Sequence, residues 1–129
     1  MSTFNGKHIL LGVTGGIAAY KVAYLVRQLV KVGADVSVMM TEAATHFVTP
    51  VTFAALSKHP VHTDLWRNKN PEDSNISVSH VRLAQWADIV VIAPATANTI
   101  AKLTHGIADN ILTVVTLATP KPVLLVPAM

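Results

Sequence analysis

No cysteine occurs anywhere in the sequence. That absence excludes disulfides and thiolate metal ligands, and it points to the reducing cytoplasm. The opening residues lack the apolar stretch of a signal peptide, and no uninterrupted apolar run approaches the ~20 residues that span a bilayer, so a soluble protein is expected. The ten lysines and arginines leave a net charge of +3 but are scattered from Lys7 to Lys121 without a tight block. A nucleic-acid surface would concentrate them, so nucleic acid is not an expected partner and the balance favours small anionic ligands. Internal repeats and low-complexity segments are also missing, and 129 residues with 51% hydrophobic side chains suit one domain with a real core.

What is present alternates between strands and helices. Lys7 to Val13 reads as a first strand, contiguous in Ile9, Leu10 and Leu11 as in a parallel sheet covered on both faces. Val22, Leu25, Val26, Leu29 and Val30 then recur at helical spacing, and Gly33 supplies a stop. Asp35 to Met40 gives a second strand, completing a βαβ unit. Glu42 to Phe47 and Thr49 to Ser57 read as helical pieces separated near Pro50, and Val61 to Leu65 as a short strand. Arg67 to Ser77 is polar, carries Pro71 and lacks periodicity, which predicts a mobile loop. A short helix over Ser79 to Trp86, a strand over Asp88 to Ala93, helices over Asn98 to Leu103 and Asp109 to Leu117, and a last strand over Pro122 to Val126 follow. The order predicts a three-layer α/β sandwich, a Rossmann-like or flavodoxin-like parallel sheet with helices on both faces.

Chemistry concentrates where strands end. Thr14-Gly15-Gly16 joins the first strand to the first helix. It reads equally as a phosphate-binding turn, with backbone N–H groups at a helix N-terminus, or as a tight turn that glycine permits. Gly12, Gly15 and Gly16 do not form G-x-G-x-x-G, so a dinucleotide loses its main support. After the second strand, Thr41 precedes Glu42. A hydroxyl suits a terminal phosphate better than a carboxylate does, and a mononucleotide such as FMN fits more naturally. Thr41 also reads as a helix N-cap, and one hydroxyl can serve both purposes. The stretch Pro94 to Asn110 follows the apolar run Ile89 to Ala93 and is rich in small, hydroxyl and amide side chains. Open α/β sheets bind ligands at that position, beyond a strand's carboxyl end.

Together these segments resemble the homo-oligomeric flavin-containing cysteine decarboxylases. The likeness is carried by Gly15 to Lys21, Met40 to Ala44, His80 followed by Trp86-Ala87-Asp88, Pro94 to Asn110, and Pro127-Ala128-Met129. It implies one flavoprotein domain over residues 1–129 whose FMN phosphate sits near Gly15, Gly16, Ile17 and Thr41. Thr96, Ala97, Asn98 and Thr99 would lie along the ribityl chain and ring, Met129 would join them, and Gly106 to Asn110 would help build a trimeric subunit contact holding the flavin. Asp109 and Asn110 also read as a helix N-cap.

By the same resemblance, His80 is the catalytic residue, opening a short helix and able to move a proton near pH 7. His8, His46, His59, His62 and His105 gain no such support, and His59 and His62 have no carboxylate or cysteine at metal-ligand spacing, so no metal is expected. The implied substrate is 4'-phosphopantothenoylcysteine of coenzyme A biosynthesis; a cysteine-ending peptide, a flavin prenyltransferase-like reaction and a non-catalytic flavin-binding subunit are the alternatives. Oxidation at the carbon bearing the thiol gives a thioaldehyde, the neighbouring carboxylate leaves as CO2, and the resulting enethiolate is reduced and protonated. The family's carboxylate-holding asparagine and proton-donating cysteine follow the Pro-Ala-Met motif, so the domain is expected to continue past Met129. Arg82 stands where many relatives carry an acidic residue and reads as a solvated helix position.

Overall fold

The computed structural model describes residues 3–63 and 76–128. Four parallel strands, β1 (His8–Val13), β2 (Asp35–Met40), β3 (Ile89–Ala95) and β4 (Val123–Pro127), form one sheet in the order β2-β1-β3-β4. The helices are α1 (Ala19–Lys31), α2 (Pro50–Ser57), α3 (Ile76–Trp86), α4 (Ala97–Thr104) and α5 (Ile111–Ala118), with a 3₁₀ turn at Ala43–His46.

Alternation along β1 decides the layering, because successive side chains point to opposite faces. Ile9, Leu11 and Val13 pack with Val22 and Val26 of α1, Phe53 of α2 and Val36, Val38 and Met40 of β2. Leu10 faces the other way, onto Met39, Val90, Ile92, Ala84 of α3 and Leu112 and Val115 of α5. Two cores on two faces of one sheet make the three-layer α/β sandwich that the sequence predicts. β4 occupies the edge beyond β3, and Val123, Leu124, Leu125 and Val126 are 37–52% exposed.

Helix α1 ends where Gly33 takes φ +96, a left-handed conformation that costs glycine little. Several boundaries depart from the sequence reading. α3 begins at Ile76, so Ile76 and Ser77 are helical rather than loop, and His80 is the fifth residue of the helix instead of its opening residue. The remainder of the expected mobile loop lies outside the described residues. Of the expected strand Val61 to Leu65, His62 makes an isolated parallel bridge to Met39, and Leu65 lies outside the described residues. β3 runs two residues past Ala93, through Pro94 to Ala95, so α4 opens at Ala97 with Thr96 as its cap.

Candidate functional site

The carboxyl ends of β1, β2 and β3 meet at Thr14, Thr41 and Thr96. Thr14 is buried, and its hydroxyl donates to the Pro94 carbonyl while accepting from the Thr96 N–H at 3.1 Å. This two-bond clip fastens the turn after β1 to the end of β3. Thr41 continues β2, its N–H donating to the Val13 carbonyl at 3.0 Å. Its hydroxyl accepts from the Ala44 N–H at 3.2 Å, capping the 3₁₀ turn. That oxygen keeps its own proton for a further acceptor. The cap and the ligand-facing readings of Thr41 are therefore compatible.

Gly15 is required by proximity rather than by backbone conformation. A Cβ built there would stand 2.5 Å from the Ala43 Cβ, closer than real Cβ atoms approach, so the glycine lets the 3₁₀ turn close over the end of β1. At Gly16 an added Cβ would make ordinary contacts, 3.5 Å from Pro94 and 3.7 Å from Thr96.

The two short helices beyond β3 complete the site. Thr96 caps α4, its hydroxyl oxygen accepting from the Thr99 N–H at 3.4 Å, while the Ala97 and Asn98 N–H groups ahead of it have no intrahelical acceptor. Asn110 caps α5 in a reciprocal box: its Oδ1 accepts from the Thr113 N–H at 2.8 Å, and the Thr113 hydroxyl accepts from the Asn110 N–H at 3.2 Å. Asp109, just ahead of it, pairs with Lys102 on α4 at 3.0 Å. The ion pair ties the two helices together across the turn at Gly106.

These elements surround a cradle of about 360 Å³ lined in part by Gly15, Thr41, Thr96, Asn98 and Thr99. Five expected cofactor residues, distant in sequence, thus share one cavity. The same walls carry Glu42, Ala43, Lys102, Asp109 and Asn110. Lys102 had no signal in the sequence, because its role depends on a partner across a turn. Gly16, Ile17 and Ala97 do not line the cradle: Ile17 is 75% exposed, and Ala97 starts α4 with its side chain in solvent. Met129 lies outside the described residues.

His80 does not line the cradle either. It sits half-buried on α3, and burial lowers its imidazole below the ordinary histidine range. His62 is lowered too, first by burial and then by the nearby charges of His80 and His59. Both rings are therefore held neutral near pH 7. His59, which the sequence leaves without a carboxylate neighbour, is met by Asp35 from β2 at 2.6 Å. Among the described residues, no group of three histidine, aspartate or glutamate side chains is arranged to hold a metal ion.

A ring of hydroxyls and amides beside a helix N-terminus fits a ligand with a phosphate and a polyhydroxylated chain. The protein-family model described as Flavoprotein matches residues 2–129. The coenzyme A biosynthesis bifunctional protein CoaBC of Bacillus subtilis (strain 168) is 50% identical over 125 residues, which are 97% of this chain and 30% of that protein. The chain thus spans less than a third of the length of such curated relatives. Among solved structures, the FMN-dependent cysteine decarboxylase SpaF matches with a TM-score of 0.85 at 33% identity, covering 98% of this chain and 71% of that one. A PPC decarboxylase variant complexed with pantothenoylaminoethenethiol matches with a TM-score of 0.79 at 30% identity, covering 97% and 67%.

Proposed function

The chain belongs to the Flavoprotein family, and from that premise we propose that it binds FMN in the cradle and decarboxylates 4'-phosphopantothenoylcysteine in coenzyme A biosynthesis. The observation that carries this reading is the meeting of Gly15, Thr41, Thr96, Asn98 and Thr99 around one cavity at the carboxyl ends of the strands. Likeness at 50% identity to a coenzyme A biosynthesis protein supports the choice of substrate.

Within the reading, the free proton of the Thr41 hydroxyl and the open amides of α4 hold the phosphate, while Thr96, Asn98 and Thr99 bind the ribityl hydroxyls. Asn110 and the Lys102–Asp109 pair keep the far wall in place. FMN, when bound, supplies the acceptance and return of two electrons. His80, kept neutral by burial, accepts a proton from the substrate. Because it does not line its own chain's cradle, the site is completed in a homo-oligomer, where His80 of the partner subunit reaches the flavin. Ile17, Tyr20 and Tyr24, each at least 60% exposed, and the turn from Gly106 to Asn110 supply surface for that contact. Residues 1–129 belong to one flavoprotein domain, which works in the cytoplasm.

A cysteine-ending peptide is the second reading, compatible with the likeness to SpaF, an FMN-dependent cysteine decarboxylase. Carbon dioxide release is measured from 4'-phosphopantothenoylcysteine and from a cysteine-ending peptide with FMN-loaded protein. Faster release from the former is expected; preference for the peptide selects the second reading, and release from neither leaves a flavin-binding subunit without turnover. His80→Asn should keep its yellow FMN yet lose reduction of the flavin by substrate. Reduction at the unaltered rate would remove His80 from the chemistry.

A further inference from the structure

A second cavity, sharing no lining residue with the cradle, opens on the α3 face of the sheet beside β2. It measures about 300 Å³, at the lower end of small-ligand sites. Its floor is Ser37, which alternates with the residues of the α1 side and so faces α3. Ser37 is only 6% exposed, it lines the cavity, and its hydroxyl has no hydrogen-bond partner among the described residues. The hydroxyl opens onto the cavity and is available to a molecule that enters it.

The walls point to what that is. Arg82 projects from α3 to the cavity, and its guanidinium has no ion-pair partner among the described residues. His62 is fixed alongside β2 by two backbone bonds of 2.9 Å, its N–H donating to the Val38 carbonyl and its carbonyl accepting from the Met40 N–H. Its imidazole makes no side-chain hydrogen bond among the described residues, so it is free to donate to a ligand. The rest of the lining is His59, whose Nε2 is engaged by Asp35, and the mainly apolar Pro60, Leu83 and Trp86. Trp86 is held in place by stacking on His8, with ring centroids 4.5 Å apart and planes 6° from parallel. A rigid aromatic wall and three unpartnered polar groups make a site, because none of them must break an existing contact to bind.

We propose that this cavity binds a small monocarboxylate with an apolar body, its carboxylate on Arg82, Ser37 and His62 and its carbon skeleton on Leu83 and Trp86. A planar guanidinium matches a carboxylate with two parallel bonds. A phosphate dianion is disfavoured, since Arg82 is the single permanent cation among the lining residues and His59, which also lines the cavity, already holds the Asp35 carboxylate. The inference does not depend on the flavin or on the decarboxylase reading.

Sodium benzoate is the probe, titrated calorimetrically into FMN-loaded protein, with benzyl alcohol and inorganic phosphate as comparisons. One saturable benzoate site is expected, with both comparison compounds at least tenfold weaker. Arg82→Gln should weaken benzoate about tenfold and Ser37→Ala about threefold, the sizes expected for a charged and a neutral hydrogen bond. Retained flavin absorbance shows that each variant is folded. Absence of saturable benzoate binding, benzyl alcohol or phosphate equal to benzoate, or full affinity in Arg82→Gln would each overturn the assignment.

Discussion

The hydroxyl of Thr14 donates to the carbonyl of Pro94 across the ends of two neighbouring strands, and the same oxygen accepts the N–H of Thr96. One buried side chain therefore fixes the distance between the glycine turn and the cap of α4, the two sides on which the cradle depends.

Thr14→Val should break both bonds while keeping the shape of the side chain. An amide left unpaired at a part-buried site costs about 1–3 kcal/mol, so thermal unfolding should move down by roughly 5 °C or more. FMN affinity should fall about tenfold, and Thr14→Ser, which restores the oxygen, should recover most of it. A Thr14→Val protein with unaltered flavin affinity would show that the clip is irrelevant to the cradle.

Gly15→Ala places a methyl 2.5 Å from the Ala43 Cβ and 3.0 Å from the Ala43 carbonyl carbon. The 3₁₀ turn must move, taking the cap of Thr41 with it, and FMN binding should weaken by more than about tenfold. Gly16→Ala meets only ordinary contacts and should fold normally. Adding Ala43→Gly to Gly15→Ala should rescue part of the affinity, because the nearest clash is removed and the backbone one is not. Equal flavin titrations for the single and double variants would refute the packing argument.

Lys102→Met removes the partner of Asp109 at the cradle wall. As the pair is largely at the surface, stability should change by less than about 1 kcal/mol. Affinity for FMN should nonetheless fall severalfold, because an unpaired carboxylate then faces an anionic ligand. Asp109→Asn added to Lys102→Met should restore part of the binding. Identical dissociation constants for Lys102→Met and the unaltered protein would contradict this.

His62 and His80 have imidazoles lowered in the folded chain relative to an ordinary value near 6.5. Below that pH the unfolded chain takes up protons before the folded one does, so stability is greatest above it and declines as pH falls from about 7 to 5. His62→Gln should make the decline of melting temperature shallower and His80→Asn should do so less, since burial alone lowers His80. If His62→Gln followed the same pH slope as the unaltered protein, burial of that imidazole would not control acid sensitivity.

Much of this molecule is legible in its order of residues. The runs Ile9 to Leu11, Val38 to Met40 and Ile89 to Ala93 identify strands because contiguous apolar side chains require cover on both faces of a sheet. The stretch after Ala93 announces a site because small and hydroxyl residues replace them there. Element ends are less legible. Nothing in periodicity says that Pro94 and Ala95 still belong to β3, since their places depend on pairing with β4, whose register shifts between Ile92 and Ala95. Nor does it place His80 inside a helix that starts at Ile76, because Ser77 and Ser79 have no strong helical preference of their own.

The sequence by itself determines the alternation of strands and helices, the two apolar faces of the sheet, and the residue types gathered after each strand, all of which follow from local periodicity and side-chain chemistry. Only the tertiary structure decides that Gly15 is needed for the closeness of Ala43, that Lys102 meets Asp109, that Asp35 meets His59, and that Ser37 and Arg82 line one cavity. Each of those is a distance between residues from different elements. Parallel strands joined by helical crossovers set such distances through packing, and no spacing along the chain encodes them.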